Sequence, residues 1–223
     1  LALASAQRKT PWGLLIGITT LVALLVVGGA LFANQRGWLG RRGDTKALLA
    51  LRAAALAQLK EDLRSPDPEL RRGALSALGA TADGSLAPLL AVMLEDKETG
   101  VQVRAAETLG QLGQPGIIPK LVPLLERAKS EAIVAVAAAE ALDQLGDARG
   151  QQALRQAFAG KQDAARIQAA MYLLGKGEKE AQKVLSSAVQ KGKVPEEGAL
   201  AILTRLAQAG DTAARENLLT RLG

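Results

Sequence analysis

Residues 101–113 read VQVRAAETLGQLG, and segments of the same pattern occur before and after this one in the chain. Apolar residues in this stretch recur three and four positions apart, which is the spacing of one face of an α-helix. Five segments share the pattern and begin 31, 33, 31 and 33 residues apart: 70–82, 101–113, 134–146, 165–177 and 198–210. A period of this length predicts an array of helical units that stack on one another.

Three positions of the repeat have a clear physical role. The first is mostly alanine, which lets helices approach: Ala74, Ala105, Ala138, Ala169 and Ile202. The second lies four residues later on the same helix face and is always leucine, which fills a core: Leu78, Leu109, Leu142, Leu173 and Leu206. The third is a small residue that can end a helix in a left-handed conformation: Ala82, Gly113, Gly146, Gly177 and Gly210.

A second helix is predicted after each of these turns, over residues 86–95, 117–127, 148–158, 179–190 and 212–222. Helix-start signals support the assignment, because Asp67 precedes Pro68 and Glu69, and Asp211 precedes the last helix. The chain therefore contains about five helix pairs, none of which can bury its apolar face alone.

The segment 101–113, followed by IIPKLVPLL at 117–125, resembles the short HEAT-like repeat of phycobilisome lyases. The match is specific over residues 65–160. Residues 161–223 keep the period but lose the consensus, and Lys176 stands where Leu112 and Leu145 stood. The resemblance implies a right-handed α-solenoid that acts as a protein-interaction scaffold. It does not imply lyase activity, because no chemical motif accompanies the match.

An apolar stretch, WGLLIGITTLVALLVVGGALFA, occupies residues 12–33 and contains no charged residue. As a helix it would be roughly 33 Å long, the thickness of a bilayer's hydrocarbon core. It predicts a single transmembrane helix. A cleaved signal peptide is a weaker interpretation, because the stretch is too long and Leu31 fits poorly at the −3 position. A buried core helix is weaker still, since no comparably apolar segment could cover it.

Two sets of residues would position this membrane helix. Small residues four apart would form a face that packs against another membrane helix: Gly13, Gly17, Gly29 and Ala33. Tryptophan and arginine side chains would anchor its ends at the membrane interface: Trp12, Trp38, Arg36, Arg41 and Arg42.

The predicted order is a tail at 1–11, the transmembrane helix at 12–33, a basic linker at 34–43, a capping helix at 44–64 and the HEAT-like solenoid at 65–223. The predicted fold class is all-α.

Composition argues against several functional classes. The chain has 28 Lys+Arg against 22 Asp+Glu, but residues 1–43 hold five basic residues and no acidic one. The remainder is thus nearly neutral, unlike a nucleic-acid-binding surface. Cys and His are absent, which removes the usual ligands and bases of zinc, haem and triad sites. We therefore expect no catalytic residue, cofactor, metal or nucleic-acid partner.

Other candidate residues have structural explanations. Tyr172 and Met171 are expected to pack in the core, and the Gly-Lys dipeptides at Gly160, Gly175 and Gly192 are expected to be turns. Acidic pairs at 61–62, 95–96 and 196–197 are expected to be solvated or to cap helices. Three arginines open first helices and are expected to pair with acidic residues of adjacent repeats: Arg71, Arg72 and Arg104.

These observations favour a non-enzymatic accessory or assembly subunit of a larger membrane protein complex, in the bacterial inner membrane. Its partners would be the lipid bilayer and other subunits. Those subunits would be bound through the transmembrane helix and through a concave solenoid face lined by second helices. The flanking charges favour a solenoid on the cytoplasmic side of the membrane, whereas a short basic N-terminal tail is typical of a signal anchor whose C-terminal part is exported. Alternatives are a transient membrane-tethered adaptor, a lyase-like enzyme acting on a chromophore or lipid, and a HEAT-repeat nucleic-acid reader.

Overall fold

A computed structural model describes residues 42–222, and this part of the chain contains helices and turns but no β-strand. We number its eleven α-helices in chain order. They are α1 (Arg42–Asp62), α2 (Pro68–Gly79), α3 (Ala87–Leu90), α4 (Thr99–Leu112), α5 (Ile118–Leu125), α6 (Ala132–Gln144), α7 (Ala148–Ala159), α8 (Asp163–Gly175), α9 (Lys179–Gln190), α10 (Glu196–Gln208) and α11 (Thr212–Leu222). The all-helical class predicted from the repeat is confirmed.

The helices after α1 alternate as first and second members of five pairs. The predicted first helices correspond to α2, α4, α6, α8 and α10, and the predicted second helices to α3, α5, α7, α9 and α11. Two second helices are short because 3₁₀ turns replace their ends, at Gly84–Leu86 and Ala91–Glu95 around α3 and at Pro115–Ile117 and Glu126–Lys129 around α5. Proline cannot donate a backbone hydrogen bond, and Pro123 lies inside α5.

The turn inside each pair has the left-handed conformation that the small-residue column predicts. The φ angle is 53° at Ala82, 66° at Gly113, 79° at Gly146, 88° at Gly177 and 91° at Gly210. Glycine adopts this region without a Cβ clash, whereas alanine is strained there. Ala82 is the one residue other than glycine with positive φ in residues 42–222.

The alanine and leucine columns lie in the interior, as predicted. Every one of these ten positions is buried, from Ala74 and Leu78 in α2 to Ile202 and Leu206 in α10. The chain divides into two compact units, Leu1–Thr108 and Leu109–Gly223. Each unit therefore contains its own share of the repeated core.

The first unit contains a buried ion pair between α2 and the loop that precedes α4. Arg71 donates from Nε to Asp96 Oδ2 and from a terminal nitrogen to Asp96 Oδ1, both at 2.8 Å. The side chains of Arg71 and Asp96 are only 5% and 9% exposed. Arg71 also donates to the carbonyl oxygens of Ser65 and Pro66, and Gln102 Nε2 donates to the carbonyl oxygen of Asp96.

These contacts test two predictions. Asp96 accepts the backbone N–H of Glu98, which is the capping role that was one of its two predicted roles, and it is in addition the buried partner of Arg71, which was not predicted. Arg72 and Arg104 pair with Glu69 and Glu107, each within its own helix, so the expected pairing with an adjacent repeat is wrong for both.

The helix α1 covers most of the segment predicted as a cap and contacts α2. Much of its apolar surface is not covered by the described residues, since Leu49 is 61% and Leu51 is 48% exposed. Its role as a cap stays a prediction.

No helix in residues 42–222 is long and apolar enough to cross a membrane. The apolar stretch 12–33 lies outside the described residues, as do the tail at 1–11 and nearly all of the linker at 34–43. The predicted localisation, a single-pass protein of the bacterial inner membrane, is therefore wrong for the part of the chain that the structure describes.

Candidate functional site

The residues predicted to position a membrane helix lie almost entirely outside the part of the chain that the structure describes. This holds for Gly13, Gly17, Gly29 and Ala33, and for Trp12, Trp38, Arg36 and Arg41. Arg42 is the exception, because its backbone begins α1. The candidate site described below was not predicted from the sequence.

A surface groove of about 400 Å³ lies in the second unit, along one side of α7. We call it the α7 groove. Its lining comes from four places: the end of α5 with the 3₁₀ turn after it, the beginning of α6, the side of α7, and the turn into α8. The lining residues are Leu125, Ala128, Ala132, Ala135, Val136, Arg149, Gln152, Ala153, Gln156, Ala157, Gly160, Lys161, Gln162 and Ala165.

The position of α7 follows from its first turn. Gly146 makes the left-handed turn, and the Asp147 carboxylate accepts the backbone N–H of Arg149, which starts the helix. A Cβ added at Gly150 would lie 2.4 Å from the backbone nitrogen of Asp143 and 2.5 Å from the carbonyl oxygen of Ala139. The absence of a side chain therefore lets α7 approach the backbone of α6.

The floor of the groove is part of the hydrophobic core. Val136 and Ala165 are buried in one cluster with Ala139, Leu154 and Ala169. Half-buried apolar residues of the lining pack against this cluster: Leu125, Ala132, Ala153 and Ala157. The floor is thus a fixed apolar surface, because its residues also stabilise the contacts of α6, α7 and α8.

The rim of the groove is polar and its charged side chains are all basic. Arg149 is held in place by Asp147, with Nε–Oδ1 and terminal N–Oδ2 distances of 2.9 and 2.6 Å. The hydrogen bonds from Arg149 lower the pKa of Asp147 to about 2. Lys161 is exposed, and no partner for its ammonium group is found in residues 42–222. The lining contains no carboxylate.

Three glutamines complete the rim: Gln152, Gln156 and Gln162. Gln152 and Gln156 lie one helical turn apart and also line a second, open depression next to the groove, with Gln151 and Arg155. Within the described part of the chain, the carboxamides of Gln152 and Gln156 make no hydrogen bond. A carboxamide can both donate and accept, so these two are free to pair with a ligand.

A second polar cluster in this unit has a structural role. Tyr172 on α8 donates to Asp143 Oδ2 on α6 at 2.7 Å, and Lys176 Nζ lies 3.1 Å from the same oxygen. Burial, together with the Asp143 carboxylate, raises the pKa of Tyr172 above its usual range. One helical turn before this pair, Gln168 on α8 donates to the buried Glu140 on α6. The cluster joins α6 to α8 and agrees with the interpretation of Tyr172 as a packing residue.

The sequence contained one signal for the α7 groove. Residues 148–162 include three basic side chains, four glutamines and no acidic residue, whereas the chain as a whole is mixed in charge. The Gly160-Lys161 dipeptide was predicted as a turn, and Gly160 does end α7. The prediction missed that this turn also forms one end of a groove.

The family model for HEAT repeats matches the chain twice, over residues 56–137 and 86–175. Together these matches cover more than half of the chain, so it belongs to the HEAT-repeat family. No curated protein matches the chain in sequence. HEAT repeats generally mediate protein–protein interaction, which makes a protein-interaction scaffold the class of protein that this fold defines.

Proposed function

We propose that the chain is a non-enzymatic scaffold whose α7 groove binds a segment of a partner protein, as an accessory or assembly subunit of a larger complex. The observation that supports this most directly is the combination of a fixed apolar floor with polar rim groups that have no partner in residues 42–222. Apolar pockets with a few convergent polar groups are the usual form of binding sites.

The groove is better suited to binding than to a reaction. Its lining offers alkyl surface, carboxamides and cations, and it has no hydroxyl, thiol or carboxylate. The chemistry of an enzyme that modifies a chromophore or lipid would require such groups near the bound molecule. The closer resemblance to the phycobilisome-lyase type of repeat, and the right-handed arrangement of the helix pairs, stay predictions from the sequence.

Site-specific photocrosslinking in the source cells tests this proposal. Benzoylphenylalanine replaces Gln156 in the groove in one strain and Lys183, exposed on α9, in a matched control strain. We expect one defined protein adduct from position 156 and none of the same mass from position 183. The adduct should disappear when Ala153→Glu is added, because a carboxylate would then occupy the apolar floor.

Two results would contradict the proposal. One is an absence of any adduct specific to position 156 although the chain is present in quantity. The other is an adduct that persists unchanged with Ala153→Glu in a chain that still unfolds cooperatively, since binding would then not involve the groove.

A further inference from the structure

We infer that the occupant of the α7 groove is an acidic segment of the partner, which crosses α7 and inserts aliphatic side chains into the groove. This inference rests on the proposed function, because it specifies the chemistry of the partner at the same site. It follows from the size of the floor, the sign of the charges around it and the unpaired carboxamides between the two depressions.

The dimensions of the groove favour aliphatic side chains. A volume of about 400 Å³ lies at the small end of the range for ligand pockets, and alanine and valine methyl groups form most of its floor. A shallow alkyl floor accepts one or two branched side chains, such as leucine, without leaving a void. No aromatic residue lines the groove, so nothing there would stack on a nucleobase or a sugar ring.

The charges around α7 favour carboxylates. Arg155 on α7 lines the second depression and Lys161 in the turn after α7 lines the groove; both are exposed, and neither makes an ion pair within residues 42–222. The lining of the second depression, like that of the groove, contains no acidic residue. Arg149 is engaged by Asp147, which leaves Arg155 and Lys161 as the cations available to a partner. A segment with carboxylates on both sides of an aliphatic residue would complement this pattern.

The carboxamides favour a segment whose backbone groups are accessible. Gln152 and Gln156 form the ridge between the groove and the second depression, since both residues line both surfaces. Each can donate to a carbonyl oxygen and accept from a backbone N–H. An extended chain has such groups free, whereas a helix has already used them. The segment would therefore be extended where it passes over the ridge.

Fluorescence anisotropy with the full chain provides the test. The probe is a short labelled peptide in which leucines alternate with glutamates. Three comparison probes change one property each: lysine replaces glutamate, serine replaces leucine, or a labelled oligothymidylate supplies negative charge without alkyl groups. We expect saturable binding of the first probe and at least roughly tenfold weaker binding of the other three.

Charge-reversal variants locate the binding on α7. Each of Arg155→Glu and Lys161→Glu should weaken binding of the acidic probe about fivefold, and the double variant should instead favour the lysine probe. Lys183→Glu, which reverses an exposed lysine on α9, is the matched control and should leave binding unchanged. Thermal unfolding of each variant confirms that the fold is kept.

The outcomes separate the inference from the proposed function. If the adduct at position 156 forms but its captured segment is not acidic, and the acidic probe binds no better than the lysine probe, the inference is wrong and the scaffold function stands. Tighter binding of the oligothymidylate would also overturn it, in favour of a nucleic acid. If position 156 captures nothing and no peptide binds, both fail.

Discussion

Each of the two units contains a contact between helical segments that the other illustrates by contrast: a buried ion pair in the first and a close backbone approach in the second. In the first, Arg71 and Asp96 link α2 to the loop before α4 through a buried ion pair. In the second, Gly150 lets α7 lie against the backbone of α6, where a continuous run of buried residues extends from Val134 to Leu142. Helical segments of this repeat can therefore be joined by a buried ion pair, as in the first unit, or by close packing of alkyl and backbone atoms, as between α6 and α7.

The difference shows what each contact depends on. A buried ion pair stabilises only while both charges and their hydrogen bonds are present, because each ion alone is poorly solvated. Arg71 meets this condition with bonds to both oxygens of Asp96 and to two carbonyl groups. The α6–α7 contact has no such partner dependence, but it leaves no space for an additional atom.

The largest effect is expected from Arg71→Leu. It removes one member of the buried pair and leaves Asp96 without its cation, so the free energy of unfolding should fall by about 3–5 kcal/mol. Urea unfolding followed by circular dichroism measures this change.

The double variant Arg71→Leu with Asp96→Leu is the control, since no buried charge is left unpaired. It should recover a large part of the loss. A single variant within about 0.5 kcal/mol of the parent would mean that the pair contributes no more than a surface ion pair.

Gly150→Ala tests the close approach of α7 to α6. The added Cβ must displace the backbone of α6 or α7, and we expect a loss of about 1–3 kcal/mol by chemical denaturation. Gly73→Ala in α2 is the matched substitution, because a Cβ there meets no atom within 4 Å. It should raise stability by up to about 1 kcal/mol through helix propensity. Equal effects at the two positions would show that the close approach is not what matters.

Acid should weaken the contact between Arg71 and Asp96 more than the contact between α6 and α7. Burial acts to raise the pKa of Asp96, but hydrogen bonds from Arg71 and from the Glu98 N–H outweigh it, and the pKa lies below its usual value. In the unfolded chain the pKa of the Asp96 carboxyl is about 3.9. As the pH falls, this carboxyl therefore binds a proton in the unfolded chain before it does so in the folded chain, and the folded state loses stability. The contribution of Asp96 is therefore complete above that pH and is lost as the pH falls through the folded pKa.

Denaturation at a series of pH values between about 6 and 2 measures this effect by comparing the parent with Asp96→Asn. The difference in unfolding free energy between the two should be constant above about pH 4 and should narrow below it. A difference that stays constant down to about pH 2 would contradict the assignment to the carboxylate.

The smallest effect is expected at the turn of the first unit. Ala82 has a φ of 53°, whereas the equivalent turns in the second unit use glycine. Ala82→Gly relieves the Cβ strain but increases the freedom of the unfolded chain, so a gain of about 0.5–1 kcal/mol is expected. Ala80→Gly, at an ordinary helical φ of −63°, should lower stability instead. Thermal unfolding compares the two; a loss at both positions would mean that Ala82 is not strained.

The repeat made most of the helical architecture predictable. Alanine and leucine at fixed positions in a helical period specify a buried face, and glycine at the end specifies a left-handed turn, because these preferences depend on local geometry. The helix starts at Asp67 and Asp211 were predictable for the same reason, since a carboxylate that caps a backbone N–H acts within three residues.

The sequence by itself determined the helices, their turns and the residues that form the repeated core, since local spacing and backbone preference decide these features. Only the tertiary structure decided that Asp96 is buried against Arg71, 25 residues earlier, and that the side of α7 forms a groove with α6 and the turn into α8. Such features depend on atoms that are distant along the chain and meet only when the helices pack, so neither composition nor period contains them.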